Sequence, residues 1–285
     1  MARWLTKTLA VGPGLLVSTA LASMVGAVVP PALGALLFWG GLVIAGLLGA
    51  GRLEPLAARA LLVSRPLREG EREDLAPALT LLCRAGLGPP LVQLRVRERA
   101  PTVAAAGMGR RTVVVSSALV DAVRAGALPQ DQAAAVIGHA AALVRGGLVR
   151  SDALIAFWSL PWQLIDAVVA ATAAVGRQLP LTAAAWKFRA LVLGIAVVQA
   201  LQQDQYALAA VIALIGAVSY ALPAWERGWQ RMLLAAGDRA LHETALAPAM
   251  VAFLRRCPAS EQVRARLRAF EVEPRLRAPI GLVAR

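Results

Sequence analysis

The sequence predicts an α-helical membrane protein with four transmembrane helices and an α+β domain in the cytoplasm. The first observation is composition, because 58% of the 285 residues are hydrophobic and only 16% are charged. Ordinary soluble domains have about 45–50% apolar and about 25% charged residues. The second observation is that apolar runs long enough to cross a bilayer alternate with arginine-rich segments, and the third is a net charge of +13.

The first 52 residues are predicted to form a transmembrane hairpin. Apolar runs extend over residues 9–28 and 32–50, and Pro30 and Pro31 separate them. Each run is close to the about 20 residues that a helix needs to cross a bilayer. A secretory signal peptide is the competing interpretation of the first run, but the second run that follows at once favours a hairpin.

Residues 53–152 are predicted to form the first part of the α+β domain. Apolar positions at helical spacing indicate a helix over residues 70–87, whereas β-branched residues indicate strands at 91–96 and 112–117. A glycine-containing turn before the second strand predicts a hairpin. A short helix and then a long helix opened by Pro129 complete this part.

Residues 153–224 are predicted to hold the second pair of spans, at 153–175 and 206–224. Asp166 lies inside the first of these, and a carboxylate is costly in lipid, so we expect it to face other helices or water. Polar residues interrupt the segment 177–205, which is predicted to be a loop with a partly embedded or amphipathic helix.

Residues 225–285 are predicted to be the second part of the cytoplasmic domain, with a basic tail for the membrane surface. Arginine dominates this segment and residues 51–152, whereas the predicted external connections carry few charges. The positive-inside rule then places both termini on the cytoplasmic side of the cell inner membrane. We expect the positive charge to meet anionic membrane lipids and not nucleic acid, because no nucleic-acid recognition motif accompanies it.

The order of these parts resembles the HtpX family of integral-membrane zinc metallopeptidases, which includes the CaaX prenyl endopeptidases. Residues 101–107, PTVAAAG, stand where that family has a P-N-A-F-A-x-G hairpin. Residues 128–139, LPQDQAAAVIGH, resemble the run L-S-x-D-E-L-x-A-V-x-A-H, and residues 231–236, RMLLAA, align with R-E-x-x-A-D. The likeness covers nearly the whole chain and depends on the order and spacing of these segments.

Carried over to this chain, the family's zinc site is almost absent. In H-E-x-x-H two histidines bind zinc and the glutamate activates water. The first histidine is His139, but the glutamate position is Ala140 and the second histidine position is Leu143. The glutamate ligand of R-E-x-x-A-D corresponds to Met232 and its supporting aspartate to Ala236. The resemblance thus implies a degenerate metallopeptidase-like domain without zinc or another cofactor, in which His139 is a hydrogen-bonded core or cleft residue.

Without peptidase chemistry, the resemblance implies a binding function: a scaffold, regulatory or structural subunit with a protein partner in a membrane complex. In active relatives the hairpin presents an edge strand to an extended peptide. The corresponding residues here are Val103, Ala104, Ala105, Ala106 and Gly107. Two alternatives stay open. One is a zinc endopeptidase with ligands outside the family pattern, for which the candidates are His139, Asp238 and His242, and the other is a lipid-binding membrane protein.

Overall fold

The structure is a computed structural model, and it describes residues 2–89, 92–176 and 188–276. Helices make up most of this part of the chain. In chain order they are α1 Ala2–Val28, α2 Pro31–Gly49, α3 Glu54–Leu62, α4 Glu69–Arg84, α5 Ser117–Arg124, α6 Gln130–Arg145, α7 Asp152–Trp158, α8 Leu160–Gly176, α9 Arg189–Gln202, α10 Tyr206–His242, α11 Ala247–Arg256 and α12 Glu261–Leu276. The strands are β1 Ser64–Pro66, β2 Gln93–Arg97, β3 Ala105–Met108 and β4 Thr112–Ser116.

Two units, each assembled from separate segments, make up the chain. The first is rich in apolar helices and comprises Met1–Val43 and Ile155–Arg231. The second contains the sheet and comprises Ile44–Leu154 and Met232–Arg285. The end of the chain therefore completes the unit that begins more than a hundred residues earlier.

Among the described residues, three helices are long and apolar enough to cross a membrane. They are Trp4–Val28, Pro31–Gly49 and Tyr206–His242, with mean hydropathies of 1.7, 2.0 and 2.1. Helices α7 and α8 are a fourth candidate if they count as one span, although they are bent by 67°. This set of helices is consistent with the membrane protein that the composition predicts.

The later predicted spans need two corrections. The third, residues 153–175, is broken after Trp158, and Pro161 lies in the first turn of the new helix, where its missing N–H costs no helical hydrogen bond. The fourth, residues 206–224, is only the first half of α10, which continues to His242. Of the predicted loop, residues 177–187 lie outside the described residues, and α9 follows them.

Two side chains of α1 satisfy polar groups at the bend between α7 and α8. The Trp162 backbone N–H donates to the Ser18 hydroxyl (3.2 Å), and the Trp158 indole N–H donates to the Thr19 hydroxyl (2.9 Å). The first N–H groups of a helix have no helical acceptor, and lipid offers none. Gly14 leaves room for the Trp162 ring, because a Cβ there would lie 3.1 Å from Cδ1. The bend is therefore compatible with apolar surroundings.

The second unit contains a four-stranded sheet in the order β1-β2-β4-β3. Strands β2 and β4 are parallel, whereas β1 pairs with β2 and β3 pairs with β4 in antiparallel fashion. The strand predicted at 91–96 corresponds to β2 and runs parallel to β4, so the two predicted strands do not form a hairpin. The hairpin partner of β4 is instead the short strand β3, and Gly109 adopts a φ of +73° at the turn between them. Strand β3 has one neighbour in the sheet and so forms an edge.

Helix α6 is the centre of the core in the second unit. All residues from Gln132 to Val144 are buried, so packing surrounds this helix on every face. Two glycines permit the close packing. A Cβ at Gly107 would lie 3.0 Å from the Ala140 carbonyl oxygen, and a Cβ at Gly138 would lie 3.2 Å from Leu246. The alanine-rich sequence of α6 is explained by this close approach of its neighbours.

An ion pair fastens the start of α4 to strand β1. The Arg65 guanidinium donates to both oxygens of the Glu71 carboxylate (2.5 and 2.7 Å), and the Arg68 backbone N–H donates to the same group (2.8 Å). These hydrogen bonds, those from Arg65 above all, lower the pKa of Glu71 to about 2. The folded state therefore holds this carboxylate ionised far into the acid range.

We expect the Glu71 pair to stabilise the second unit at neutral pH and to fail in acid. A carboxylate with a depressed pKa contributes stability above its unfolded value of 4.5 and loses that stability as the pH falls toward about 2. The unfolding temperature of Glu71→Gln should lie below that of the wild type at neutral pH, and the difference should shrink through this window. Glu69→Gln, at a side chain 78% exposed in the same helical turn, is the matched control. A difference that stays constant with pH would contradict the assignment.

Candidate functional site around His139

His139 is held between α6 and α10 in the core of the second unit. The residue is 9% exposed, and its Nε2 lies 3.3 Å from the Leu234 carbonyl oxygen and 3.3 Å from Asp238 Oδ1. A carbonyl and a carboxylate only accept hydrogen bonds, so the proton of a neutral imidazole belongs on Nε2. The lone pair of that nitrogen is then not free to bind a metal ion.

The Asp238 carboxylate is neutralised by Arg266 of α12. Arg266 Nε and Nη2 donate to its two oxygens at 2.8 and 2.6 Å. The side-chain exposures are 8% for the aspartate and 18% for the arginine. A desolvated carboxylate is costly unless a cation and hydrogen bonds compensate it, and a bidentate guanidinium does both. His139, Asp238 and Arg266, which we term the His139 network, join α6, α10 and α12.

Gly237 makes room for the imidazole ring. A Cβ at this position would lie 2.4 Å from Nε2 and 2.6 Å from Cε1 of His139. Carbon and nitrogen atoms that are not bonded do not approach so closely, so α10 passes the ring only because residue 237 has no side chain. The close contact is what brings the Asp238 carboxylate within reach of Nε2.

The remaining positions of H-E-x-x-H on α6 are apolar and packed. Ala140 is 0% exposed and Leu143 is 8% exposed, and both belong to the hydrophobic core. Neither side chain can bind a metal ion or accept a proton. The helix that would carry the zinc motif in the family is here a core element.

On α10, the contacts with His139 come two residues later than the motif alignment assigns. The supporting aspartate aligns with Ala236, but the carboxylate beside the imidazole belongs to Asp238. In R-E-x-x-A-D the glutamate and the aspartate are four residues apart, so an alignment that matches the aspartate to Asp238 would put the glutamate at Leu234 in place of Met232. Either register leaves an apolar residue where a glutamate would bind zinc.

In the alternative ligand set of His139, Asp238 and His242, the carboxylate is already engaged. Both oxygens of Asp238 accept hydrogen bonds from Arg266, and His242 packs against Phe270 with 5.8 Å between ring centroids. A zinc site needs about three protein ligands. Within the described part of the chain, no three His, Cys, Asp or Glu side chains are placed to share a metal ion.

Strand β3 lies at an edge of the sheet. The Ser116 N–H donates to the Ala104 carbonyl (2.9 Å), and from this pair onward alternate residues exchange hydrogen bonds with β4. The backbone groups of Ala105 and Gly107 therefore point away from β4. We find no backbone partner for them among the described residues. Of the predicted edge segment, Val103 and Ala104 precede the regular strand.

Two contributors to the site are not found by sequence reasoning. Arg266 lies in the segment predicted to be a membrane-surface tail, but α12 packs within the second unit, with Phe270 buried. Nothing in the pattern distinguishes Arg266 from the nearby Arg264 and Arg268. Gly237 gives one usable signal, because a glycine inside an apolar helix indicates a close approach.

Comparison with known proteins gives no match. No protein-family model matches the chain, and neither a curated protein nor a solved structure matches it. Its class is that of a mainly helical protein with three to four candidate membrane spans and a small mixed sheet. The function must therefore be argued from the residues themselves.

Proposed function

We propose that the chain is a catalytically inactive, HtpX-like membrane protein that works by binding, as a scaffold, regulatory or structural subunit of a membrane complex. The observation that carries this proposal is the His139 network. The one histidine retained from the expected motif donates to Asp238, which Arg266 neutralises. A zinc peptidase needs a ligand set with an open position and a general base. The apolar side chains of Ala140 and Leu143 supply neither.

Strand β3 is the proposed binding element, because strand addition needs no metal. An extended segment of a partner can pair with the outward N–H and C=O groups of Ala105 and Gly107. The Ala104 and Ala106 side chains beside them are exposed and small, so they do not obstruct an incoming strand. The apolar helices would hold the protein in the cell inner membrane, with the arginine-rich unit and both termini on the cytoplasmic side.

A cavity in the first unit favours a second candidate function, the binding of an apolar lipid. The cavity has a volume of about 630 Å³ and lies among α1, α2, α7 and α8. Sites for small molecules typically have about 300–1,000 Å³. The larger apolar side chains that line it include Leu21, Leu37, Phe38, Phe157, Trp158 and Leu160. An apolar lipid that co-purifies with the protein would favour this function.

One purification of the full chain tests both parts of the main proposal. We expect a defined partner to co-purify from native membranes, and its recovery to fall at least about fivefold in Ala105→Pro. Proline is tolerated on an edge strand where its N–H faces outward, so this variant blocks strand addition without removing a bond to β4. Ala106→Pro is the control for damage to the sheet. The Ala106 N–H pairs with β4, so the loss of this hydrogen bond should lower the unfolding temperature. Equal recovery of the partner with Ala105→Pro would contradict strand addition.

The same preparations are analysed for zinc by elemental mass spectrometry. We expect clearly substoichiometric zinc, and stoichiometric zinc that disappears in His139→Ala would overturn the proposal. A triple variant that introduces the missing residues of the zinc site should bind zinc. Its changes are Ala140→Glu, Leu143→His and Leu234→Glu. The same combination with Met232→Glu in place of the third change should bind less zinc, because residue 232 lies about half a turn around α10 from residue 234, whose carbonyl contacts the imidazole.

A further inference from the structure

We propose that a recess directly after α2 binds the phosphate of an anionic phospholipid headgroup. The recess belongs to the second unit and has a volume of about 300 Å³. Its polar lining comes from Arg52, Glu54, Gln93, Arg110 and Arg111. Three cations and one carboxylate therefore meet in a small concave site that the His139 network does not include.

The single carboxylate of the recess is occupied by backbone groups. Glu54 is 4% exposed and accepts the N–H groups of Arg110 (2.6 Å) and Arg111 (3.2 Å). Across the described residues, no carboxylate forms an ion pair with the guanidinium groups of Arg52, Arg110 or Arg111. With three arginines and one glutamate the recess therefore carries an excess of positive charge, and an anion is the complementary ligand.

Close packing holds the walls of the recess in place. Arg110 Nη2 donates to the Gly49 carbonyl (3.0 Å), which the end of α2 leaves without a helical partner. The β3–β4 turn lies against Glu54, because a Cβ at Gly109 would be 2.4 Å from its carboxyl carbon. Gly51 and Gly109 have φ values of +83° and +73°, which favour glycine. The backbone that carries these arginines is therefore fixed before any ligand binds.

The position of the recess selects a lipid as the source of the phosphate. Helix α2 is a candidate span that ends at Gly49, and the recess begins at Ala50, so it lies at headgroup depth when α2 is in a membrane. Guanidinium groups match phosphate oxygens in bidentate geometry. Basic pockets at the cytoplasmic ends of spans are a known mode of anionic lipid recognition. The inference shares with the proposed function only the placement of α2 in a membrane.

Native mass spectrometry of the detergent-solubilised full chain tests the inference. The probes are phosphatidylglycerol and phosphatidylcholine with the same acyl chains, and we expect phosphatidylglycerol to bind in preference. The double variant Arg52→Gln, Arg111→Gln should weaken that binding by about tenfold to thirtyfold, because two cations near the headgroup are lost. Both substitutions keep the backbone donors to Glu54. The matched control, Arg84→Gln with Arg97→Gln, removes the same charge from exposed positions outside the recess and should change binding by less than about twofold.

Three results would overturn the inference. Equal losses in the recess and control variants would assign the lipid to general surface charge, and equal binding of both lipids would exclude headgroup recognition. Complete displacement of phosphatidylglycerol by millimolar inorganic phosphate would assign the recess to a free anion. If the double variant fails to fold by circular dichroism, Arg111→Gln alone replaces it, with an expected loss of about threefold or more. Zinc content and partner recovery enter none of these outcomes, so failure here leaves the proposed function standing.

Discussion

Arg266→Met is expected to destabilise the second unit by about 3–5 kcal/mol, the usual cost of removing one partner from a buried ion pair. The variant leaves the Asp238 carboxylate 8% exposed, with only the hydrogen bond from His139 at 3.3 Å. Methionine retains most of the length and apolar packing of the arginine stem, so the loss of stability reports the removal of the guanidinium charge. Chemical unfolding in detergent, followed by circular dichroism, measures it.

Arg268→Met is the matched control for this experiment, because it makes the same change in the same helix at an exposed side chain whose Nε donates to the Arg264 carbonyl of that helix at 3.4 Å. We expect it to cost less than about 0.5 kcal/mol. Adding Asp238→Asn to Arg266→Met should recover part of the loss, since the uncompensated charge is then gone. A small loss of stability in Arg266→Met, or no recovery of stability in the double variant, would contradict the claim that the Asp238–Arg266 ion pair stabilises the second unit.

Gly237→Ala is expected to destabilise the protein by about 1–3 kcal/mol, as overpacking of a core does. The new Cβ would lie 2.4 Å from Nε2 of His139, so either the ring or α10 must move. Glycine to alanine inside a helix normally stabilises by about 1 kcal/mol. A loss of stability in Gly237→Ala, in place of the usual gain, would therefore report the contact between residue 237 and His139. The same unfolding measurement gives the change in stability.

Gly70→Ala in α4 is the control for that sign, because a Cβ at residue 70 would meet nothing within 4 Å. We expect no loss of stability there. In the double variant Gly237→Ala with His139→Ala the ring is absent, so the alanine at 237 should cost less than it does alone. If Gly237→Ala were as stable as the wild type, α6 and α10 would not pack as described.

The sequence by itself determined the elements that local patterns specify. Uncharged apolar runs of about 20 residues marked α2 to within one residue at each end and marked the end of α1, because the thickness of a bilayer sets that length. The start of α1 lies seven residues before the predicted run. Helical spacing marked α4, and β-branched residues marked β2 and β4. No such pattern marks β3, whose sequence is AAGM, so its antiparallel pairing with β4 did not follow from local pattern. Short elements with weak patterns, α3 and β1, were not predicted. The ends of helices were also predicted wrongly where an apolar pattern continues. Examples are the bend before Pro161 and the extension of α10 beyond residue 224.

Only the tertiary structure decided which side chains meet His139. Its contact with Leu234 joins residues 95 positions apart, and an alanine-rich helix carries no feature that fixes a register of two residues in α10. The sequence likewise offers 30 Lys and Arg residues but does not show which one neutralises Asp238. That choice follows from how α12 docks, because a carboxylate leaves water only where the fold brings a guanidinium to it. The sequence shows apolar residues around His139, whereas the network in which His139 takes part could not be predicted from it.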